Sequence, residues 1–320
     1  MDTRDLVQSS LETIWQYDYD PRIEALHDLY ERAKLQQWNV STDLDWDRER
    51  DPEDGSFRPD RLEFSRLPIW KRLDDKQRAA LNREMSAFTI SQAMHGEQGA
   101  MLLCGQLVDA VPDMEGKLYA STQVIDEARH VEVFHRYAKR LARIYPPTPG
   151  IKGVIDALLT ADMWQKKCVG MQVIAESFAL GAFRNMKVNA ADPLLQDIVS
   201  LTAQDEARHV AFGVIYIGAT VERMEPAARE ELEDFTVTAL EGMIGGGAGA
   251  AGGLADVFQN AGVDVADAFR DLPTGRAAPP RAKGVIDPVR ELMVPNLERA
   301  ALISDRVRPR YVEKGLLPAN

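Results

Sequence analysis

The sequence predicts an all-α protein: a four-helix bundle with additional N- and C-terminal helices. Three observations predict it. The hexapeptide Asp126-Glu127-Ala128-Arg129-His130-Val131 recurs unchanged as Asp205-Glu206-Ala207-Arg208-His209-Val210, 79 positions later. A lone glutamate, Glu97 or Glu176, stands 30 residues before the matching glutamate of each copy. Pro146, Pro147 and Pro149 interrupt the chain between the two copies, a stiff connection of the kind that separates two helical hairpins.

Taken in order, residues 2–38 read as an amphipathic helix, with Leu11, Ile14, Trp15, Ile23, Leu26, Leu29 and Tyr30 as its apolar side. Residues 41–60 are dense in Asp, Glu and Arg and carry Pro52, Gly55 and Pro59, so they predict an exposed loop. Trp38, Trp46 and Trp70 are expected to pack that segment over the bundle. The four bundle helices are placed at about 74–110, 113–143, 153–189 and 193–224. Pro112 and Pro193 mark helix starts, each beside an acidic residue suited to the positive end of a helix dipole. A further helix is expected over 226–243. Gly245–Gly253 consist of Gly and Ala only, a poor helix former that also lacks the spaced glycines of a phosphate cradle, and read as a flexible linker or a close helix crossing, with a lid as the alternative. Residues 271–284 read as a loop. A last helix is placed over 287–306, with Leu292, Leu297 and Leu302 docking back on the bundle. The whole chain, 1–320, reads as one domain with its core at about 74–224, an N-terminal extension 1–73 and a C-terminal extension 225–320.

At 45% hydrophobic and 28% charged residues, the chain has the balance of a soluble globular domain with a sizeable core. No run of 18 apolar residues exists, which argues against a membrane span, and the net charge of −12 disfavours nucleic acid and anionic membrane as partners. The two cysteines, Cys104 and Cys168, lie far apart and no signal-like segment follows Met1, so free thiols and a cytoplasmic location are expected.

Residues three apart share one face of a helix, so Glu127 with His130, and Glu206 with His209, can each grip a metal from one side. With Glu97 and Glu176 this makes one Glu plus one Glu-x-x-His pair per half, the ligand arithmetic of a di-iron or di-manganese bundle. Four carboxylates and two neutral imidazoles would balance two ferrous ions, so such a site is neutral when buried. Oxygen and imidazole donors suit iron or manganese, and the chain lacks thiolates for a zinc ribbon or an iron–sulfur cluster. The competing reading, a duplicated surface ion pair, does not account for Glu176 within the apolar run Val173-Ile174-Ala175-Glu176-Ser177-Phe178-Ala179-Leu180.

On these motifs the chain resembles the ferritin-like di-iron carboxylate superfamily, in particular its oxygen-activating branch that includes ribonucleotide reductase small subunits and di-iron oxygenases. The resemblance covers about residues 75–225. It implies that Glu97, Glu127, His130, Glu176, Glu206 and His209 are the metal ligands, with Glu127 and Glu206 bridging. It also implies that Asp126 and Asp205 each accept a hydrogen bond from the ligand His of the opposite half. Arg129 and Arg208 are then expected to pair with carboxylates. The implied cofactor is a pair of iron ions, with Mn/Fe as the alternative, and O2 is the implied co-substrate.

The implied function is a non-haem di-iron oxidase or oxygenase that hydroxylates, N-oxygenates or desaturates a small apolar or aromatic molecule through a peroxo or high-valent intermediate. Met94, Met101, Gln172, Val173, Leu180 and Phe183 are expected to line a dry pocket for that molecule. Two ferrous ions deliver two electrons and full reduction of O2 requires four, so an external donor is expected, either a ferredoxin or reductase or a small reductant. A homodimer is compatible with the chain. The alternatives are an iron-handling ferroxidase and a radical-generating subunit of the ribonucleotide reductase type. Phe134 opposes the second of these, because it stands where that branch places its radical Tyr. Leu180 replaces the Thr of bacterial multicomponent monooxygenases, and Thr202 replaces the extra His ligand of arylamine N-oxygenases. The chain therefore resembles the superfamily more than any one branch.

Overall fold

In chain order the helices are α1 (Glu24–Leu35), α2 (Pro68–Arg72), α3 (Asp75–Ala110), α4 (Met114–Leu141), α5 (Pro149–Thr160), α6 (Trp164–Cys168), α7 (Glu176–Asn189), α8 (Pro193–Val221), α9 (Pro226–Gly245), α10 (Leu254–Asn260), α11 (Val265–Asp271), α12 (Val294–Arg299) and α13 (Arg308–Glu313). They come from a computed structural model that describes residues 5–9, 11–51, 54–245, 253–271 and 284–318. Among the described residues there is no β-strand, only an isolated bridge between Phe57 and Ala190.

The long helices begin where local chemistry starts them. Asp74 accepts a bond from the Gln77 backbone N–H at 2.7 Å while the Gln77 side chain accepts from the Asp74 N–H at 3.1 Å, a reciprocal cap at the head of α3. Asp192 caps α8, and Pro193 sits at its first turn, where a missing N–H costs nothing. Thr148 caps α5 ahead of Pro149. Helices α3 and α4 form one hairpin, and α7 pairs with α8 in the other.

The repeat also ties the hairpins together. Tyr137 and Tyr216, again 79 residues apart, each reach the aspartate at the start of the other hairpin's second helix. Tyr137 donates to Asp192 at 2.7 Å and Tyr216 to Asp113 at 3.0 Å. Two apolar clusters fill the bundle around these ties, one containing Ile90, Met94, Phe134, Phe183 and Ile198, the other Leu107, Tyr119, Val173, Phe212 and Tyr216.

Three expectations from sequence are corrected. Residues 11–22 are not helical: Pro21 lacks an N–H and disfavours helix at Asp20, and the segment is held along α3 by the Ile14 N–H bonding to Asp109 O at 3.0 Å. Trp15 is consequently 74% exposed, and Ile14 is also exposed. The third bundle helix is broken: α5 ends at Thr160, α6 starts at Trp164, and a π-helical stretch, Val169–Ala175, leads into Glu176. Buried Lys167 stabilises the break by donating to the carbonyls of Leu158 and Leu159 at the end of α5, at 3.1 and 2.6 Å. The last predicted helix is also shortened, to a π turn (Val289–Met293) plus α12, and Ala301 at φ 57° follows its end. Leu297 and Leu302 are buried as core, and Leu292 is half-buried. Residues 246–252 and 272–283, which hold most of the Gly/Ala run and of the expected tail loop, lie outside the described residues. Within the described chain, α2, α10, α11 and α13 are helices that sequence periodicity did not mark.

Candidate metal centre

The hairpins bring six side chains together. Glu97 projects from α3, Glu127 and His130 from α4, Glu176 from the start of α7, and Glu206 and His209 from α8. All six are buried, the most exposed being Glu97 at 5%. One donor atom from each of Glu97, Glu127, His130 and Glu206 lies within 4.8 Å of the others, and the same holds for Glu127, Glu176, Glu206 and His209. Glu127 and Glu206 belong to both quartets. His130 Nδ1 is 3.2 Å from both Glu97 and Glu127, and His209 Nδ1 is 3.1 Å from Glu127 and 3.2 Å from Glu206.

The opposite imidazole nitrogens face a charged network. His130 Nε2 lies 3.0 Å from Asp205, and His209 Nε2 lies 3.2 Å from Asp126. Arg129 donates to Asp126 at 2.6 Å and Asp205 at 2.9 Å, while Arg208 donates to Asp205 at 2.5 Å and Asp126 at 3.2 Å. Each aspartate is thus shared by both halves, which locks the orientation of both rings. Helix α1 packs on α4 and α8 and delivers three more residues to this network. Gln36 accepts from Arg208 at 3.0 Å, Gln37 bonds both Arg129 and Asp126, and Trp38 Nε1 donates to Asp205 at 2.7 Å. Arg129 also sits over the Trp38 ring, 4.7 Å from its centroid.

Electrostatics within the cluster are extreme. Burial and then the charge of Glu206 push the carboxyl groups of Glu97 and Glu176 well above the usual carboxylate range. Burial acts in the same direction on Glu127, but His209 and His130 hold it well below that range. Burial opposes the charge on both imidazoles, yet the surrounding carboxylates raise His130 and His209 well above the ordinary imidazole value. Protons thus stand in for positive charge among these carboxylates. Glu206 Oε1 is buried without a well-formed hydrogen bond, its neighbour being His130 Nδ1 at 3.3 Å, and is an acceptor of the kind a cation satisfies. An all-oxygen-and-imidazole set with two shared carboxylates fits a pair of iron or manganese ions.

The six residues expected around the substrate are separated by the fold. Met94 and Phe183 belong to the apolar cluster at the Phe134 end of the centre, Val173 to the cluster at the Tyr119 end, and Gln172 is buried beside Cys104. Leu180 is buried and Met101 half-buried. None of them lines the cleft of about 910 Å³ that the N-terminal segment forms with the outer side of α3 and the start of α4. Sequence reading passed over Gln123, whose amide donates to Glu127 at 2.9 Å and Glu176 at 3.0 Å. Its position one helical turn before Glu127 was the available signal. Gln36, Gln37 and Trp38 carried no such signal, because only packing of α1 brings them to the site.

Two solved structures of R2-like ligand-binding oxidase variants, one with an aerobically and one with an anaerobically reconstituted Mn/Fe cofactor, are similar to this chain. The first is 17% identical over 87% of this chain and 94% of its own, with a TM-score of 0.45. The second is 16% identical over 87% and 93%, with a TM-score of 0.47. No curated protein sequence matches the chain. The family model described as p-aminobenzoate N-oxygenase AurF matches residues 20–250, a span that takes in both hairpins and the α1 contribution. The chain belongs to the p-aminobenzoate N-oxygenase AurF family and is a non-haem di-iron, oxygen-activating oxidoreductase.

Proposed function

We propose that this protein N-oxygenates a small aromatic amine, with Glu97, Glu127, His130, Glu176, Glu206 and His209 holding its two iron ions and Glu127 and Glu206 shared between them. The observation that carries the reading is the pair of overlapping buried quartets. When bound, the ions supply the electrons and binding sites for reduction of O2. Asp126 and Asp205 hold the imidazoles so that both Nδ1 atoms face the carboxylates. Gln123 fixes Glu127 relative to Glu176. The apolar clusters on either side keep bulk water out. The family description supports an aromatic amine over other small organic molecules. Thr202, in place of the extra His of arylamine N-oxygenases, leaves six protein ligands.

The reading includes an external electron donor, a ferredoxin or reductase or a small reductant, since the chain has only two cysteines and both are buried and free. Those thiols support a reducing cytoplasm. Among the described residues no helix is long and apolar enough to cross a membrane. Exposed Leu102 on α3, with Leu118 and Ile125 on α4, supports a homodimer through the outer face of the first hairpin.

The test is aerobic reaction of the ferrous-loaded protein with reductant and a panel of arylamines, aromatic acids and acyl compounds. Oxygen uptake that depends on an arylamine, with label from ¹⁸O2 in the product, is the expected result. Oxygen uptake that follows iron oxidation alone, in a cage-sized particle, would establish a ferroxidase instead. Metal loading has its own signature. Because Glu97, Glu176, His130 and His209 retain protons to higher pH than usual, iron must displace them. Affinity should therefore rise with pH, from the ordinary carboxylate range through and beyond the ordinary imidazole range. Proton release of more than about one per ion is expected in a weakly buffered titration; uptake with no proton release would contradict this proton inventory.

A further inference from the structure

The 79-residue repeat relates the two ends of the centre, and the ends differ in chemistry. Gln172, one turn before Glu176, has Ala93 as its repeat mate; Gln123, one turn before Glu127, has Thr202; Tyr119 has Ile198. Cys104 corresponds to Phe183, and Gly213 to Phe134. At one end Phe134 and Phe183 stack with ring centroids 5.4 Å apart. At the other, Gly213 supplies no side chain, and Gln172 lies so close that a Cβ on Gly213 would sit 2.4 Å from that of Gln172. The absence of a side chain at Gly213 is what lets the π-helical stretch carry Gln172 inward.

Three buried polar atoms at this end have no partner: Gln123 Oε1, Gln172 Oε1 and the Tyr119 hydroxyl, each on a side chain with no exposed surface. The Gln123 amide cannot be turned to relieve this, because its nitrogen bonds two carboxylate oxygens. Gln172 uses its nitrogen on Cys104 Sγ at 3.5 Å, a weak acceptor. Buried acceptors without donors are costly, so a site that keeps them is shaped for a ligand that brings donors. The repeat-related end keeps Ala93 and Ile198 in the places of Gln172 and Tyr119, so the acceptors are not a demand of the bundle itself.

We propose that the end walled by Tyr119, Gln123 and Gln172 binds the substrate's nitrogen as a primary amine. Gln172 is the specificity-determining residue, and its carbonyl oxygen, with that of Gln123, accepts the amine N–H bonds. At the Phe134 and Phe183 end the buried Thr202 hydroxyl is already bonded to the Ile198 carbonyl at 3.1 Å, so no acceptor like those of Gln123 and Gln172 is left without a partner there. The proposal rests on the iron centre assigned above and names which side of it the amine approaches.

The test compares aniline with toluene, a ring of similar size without an N–H, by calorimetric titration of the di-ferrous protein under strict anaerobiosis, where no turnover occurs. Aniline should bind about tenfold tighter than toluene, a difference of the order of one hydrogen bond. In Gln172→Leu, and in Gln172→Met if the leucine variant misfolds, that preference should fall to within about twofold with two irons per chain retained. Phe183→Leu should weaken both ligands alike and preserve their ratio. An aniline-to-toluene ratio unchanged by both Gln172 variants, or equal binding of the two by the unmodified protein, overturns the proposal and assigns those carbonyls to buried water. Iron analysis separates this from failure of the centre: an unmodified protein that holds no iron overturns the ligand assignment, and this inference with it.

Discussion

Replacing Glu176 with alanine leaves the chain helical but takes away at least one of its two metal ions. Glu176 takes part in only one of the two quartets, with Glu127, Glu206 and His209. The other quartet keeps all four of its donors, so iron content should fall from about two per chain to about one or none. Oxygen-dependent turnover should drop beyond the roughly 10–100-fold typical of losing an outer partner of a ligand. The fold should tolerate the change. Burial first, and then Glu206 and Glu127, disfavour the charge on Glu176, so the metal-free protein loses a group that is poorly accommodated. Its melting temperature without metal should be at least that of the unmodified chain. Iron analysis with circular dichroism decides the matter, and retention of two irons would refute the ligand set.

Asp205→Ala should have the largest effect on stability. The Asp205 carboxylate accepts from His130, Trp38, Arg129 and Arg208, all within 3.0 Å. Removing it leaves two guanidinium groups and an indole N–H short of an acceptor in a site that excludes water, a loss of about 3–5 kcal/mol. The His130 ring also loses its anchor, and iron affinity should fall about 10–100-fold. The pH dependence follows from the same bonds. Burial acts to raise the Asp205 pKa, but His130 and Arg208 hold it well below the ordinary aspartate value. Its stabilisation is therefore complete above the ordinary aspartate range and is lost as pH falls through its lower folded value. Denaturant melts of the two proteins should converge in strong acid and diverge toward neutrality. A variant that melts within error of the parent at neutral pH, with unchanged iron affinity, would show that Arg129 and Arg208 do not depend on Asp205.

Much of the centre is legible because its spacing is local. Glu127 with His130, and Glu206 with His209, share a helix face whatever surrounds them, and the 79-residue repeat marks Glu97 and Glu176 as their partners. Residues such as Gln37 and Trp38 escape that logic, since they meet Asp126 and Asp205 across 89 and 167 positions of chain. The expected N-terminal helix fails for a related reason. Its apolar pattern is real, but Pro21 and the tie to Asp109 outweigh periodicity in the segment that contains Trp15.

By itself, then, the chain determined the all-α class, the two hairpins and the six candidate ligands, because helix period, caps and an exact internal repeat are properties of neighbouring residues. Tertiary structure alone decided where the third bundle helix breaks, how α1 closes over the aspartate–arginine network, and that the carbonyls of Gln123 and Gln172 are buried without partners. Those outcomes depend on contacts between distant segments: Lys167 on the end of α5, Trp38 on Asp205, and Gly213 making room for Gln172. A repeat can write the same ligands twice. Where the copies differ, as at Gln172 against Ala93 and Gly213 against Phe134, packing turns those differences into unequal ends.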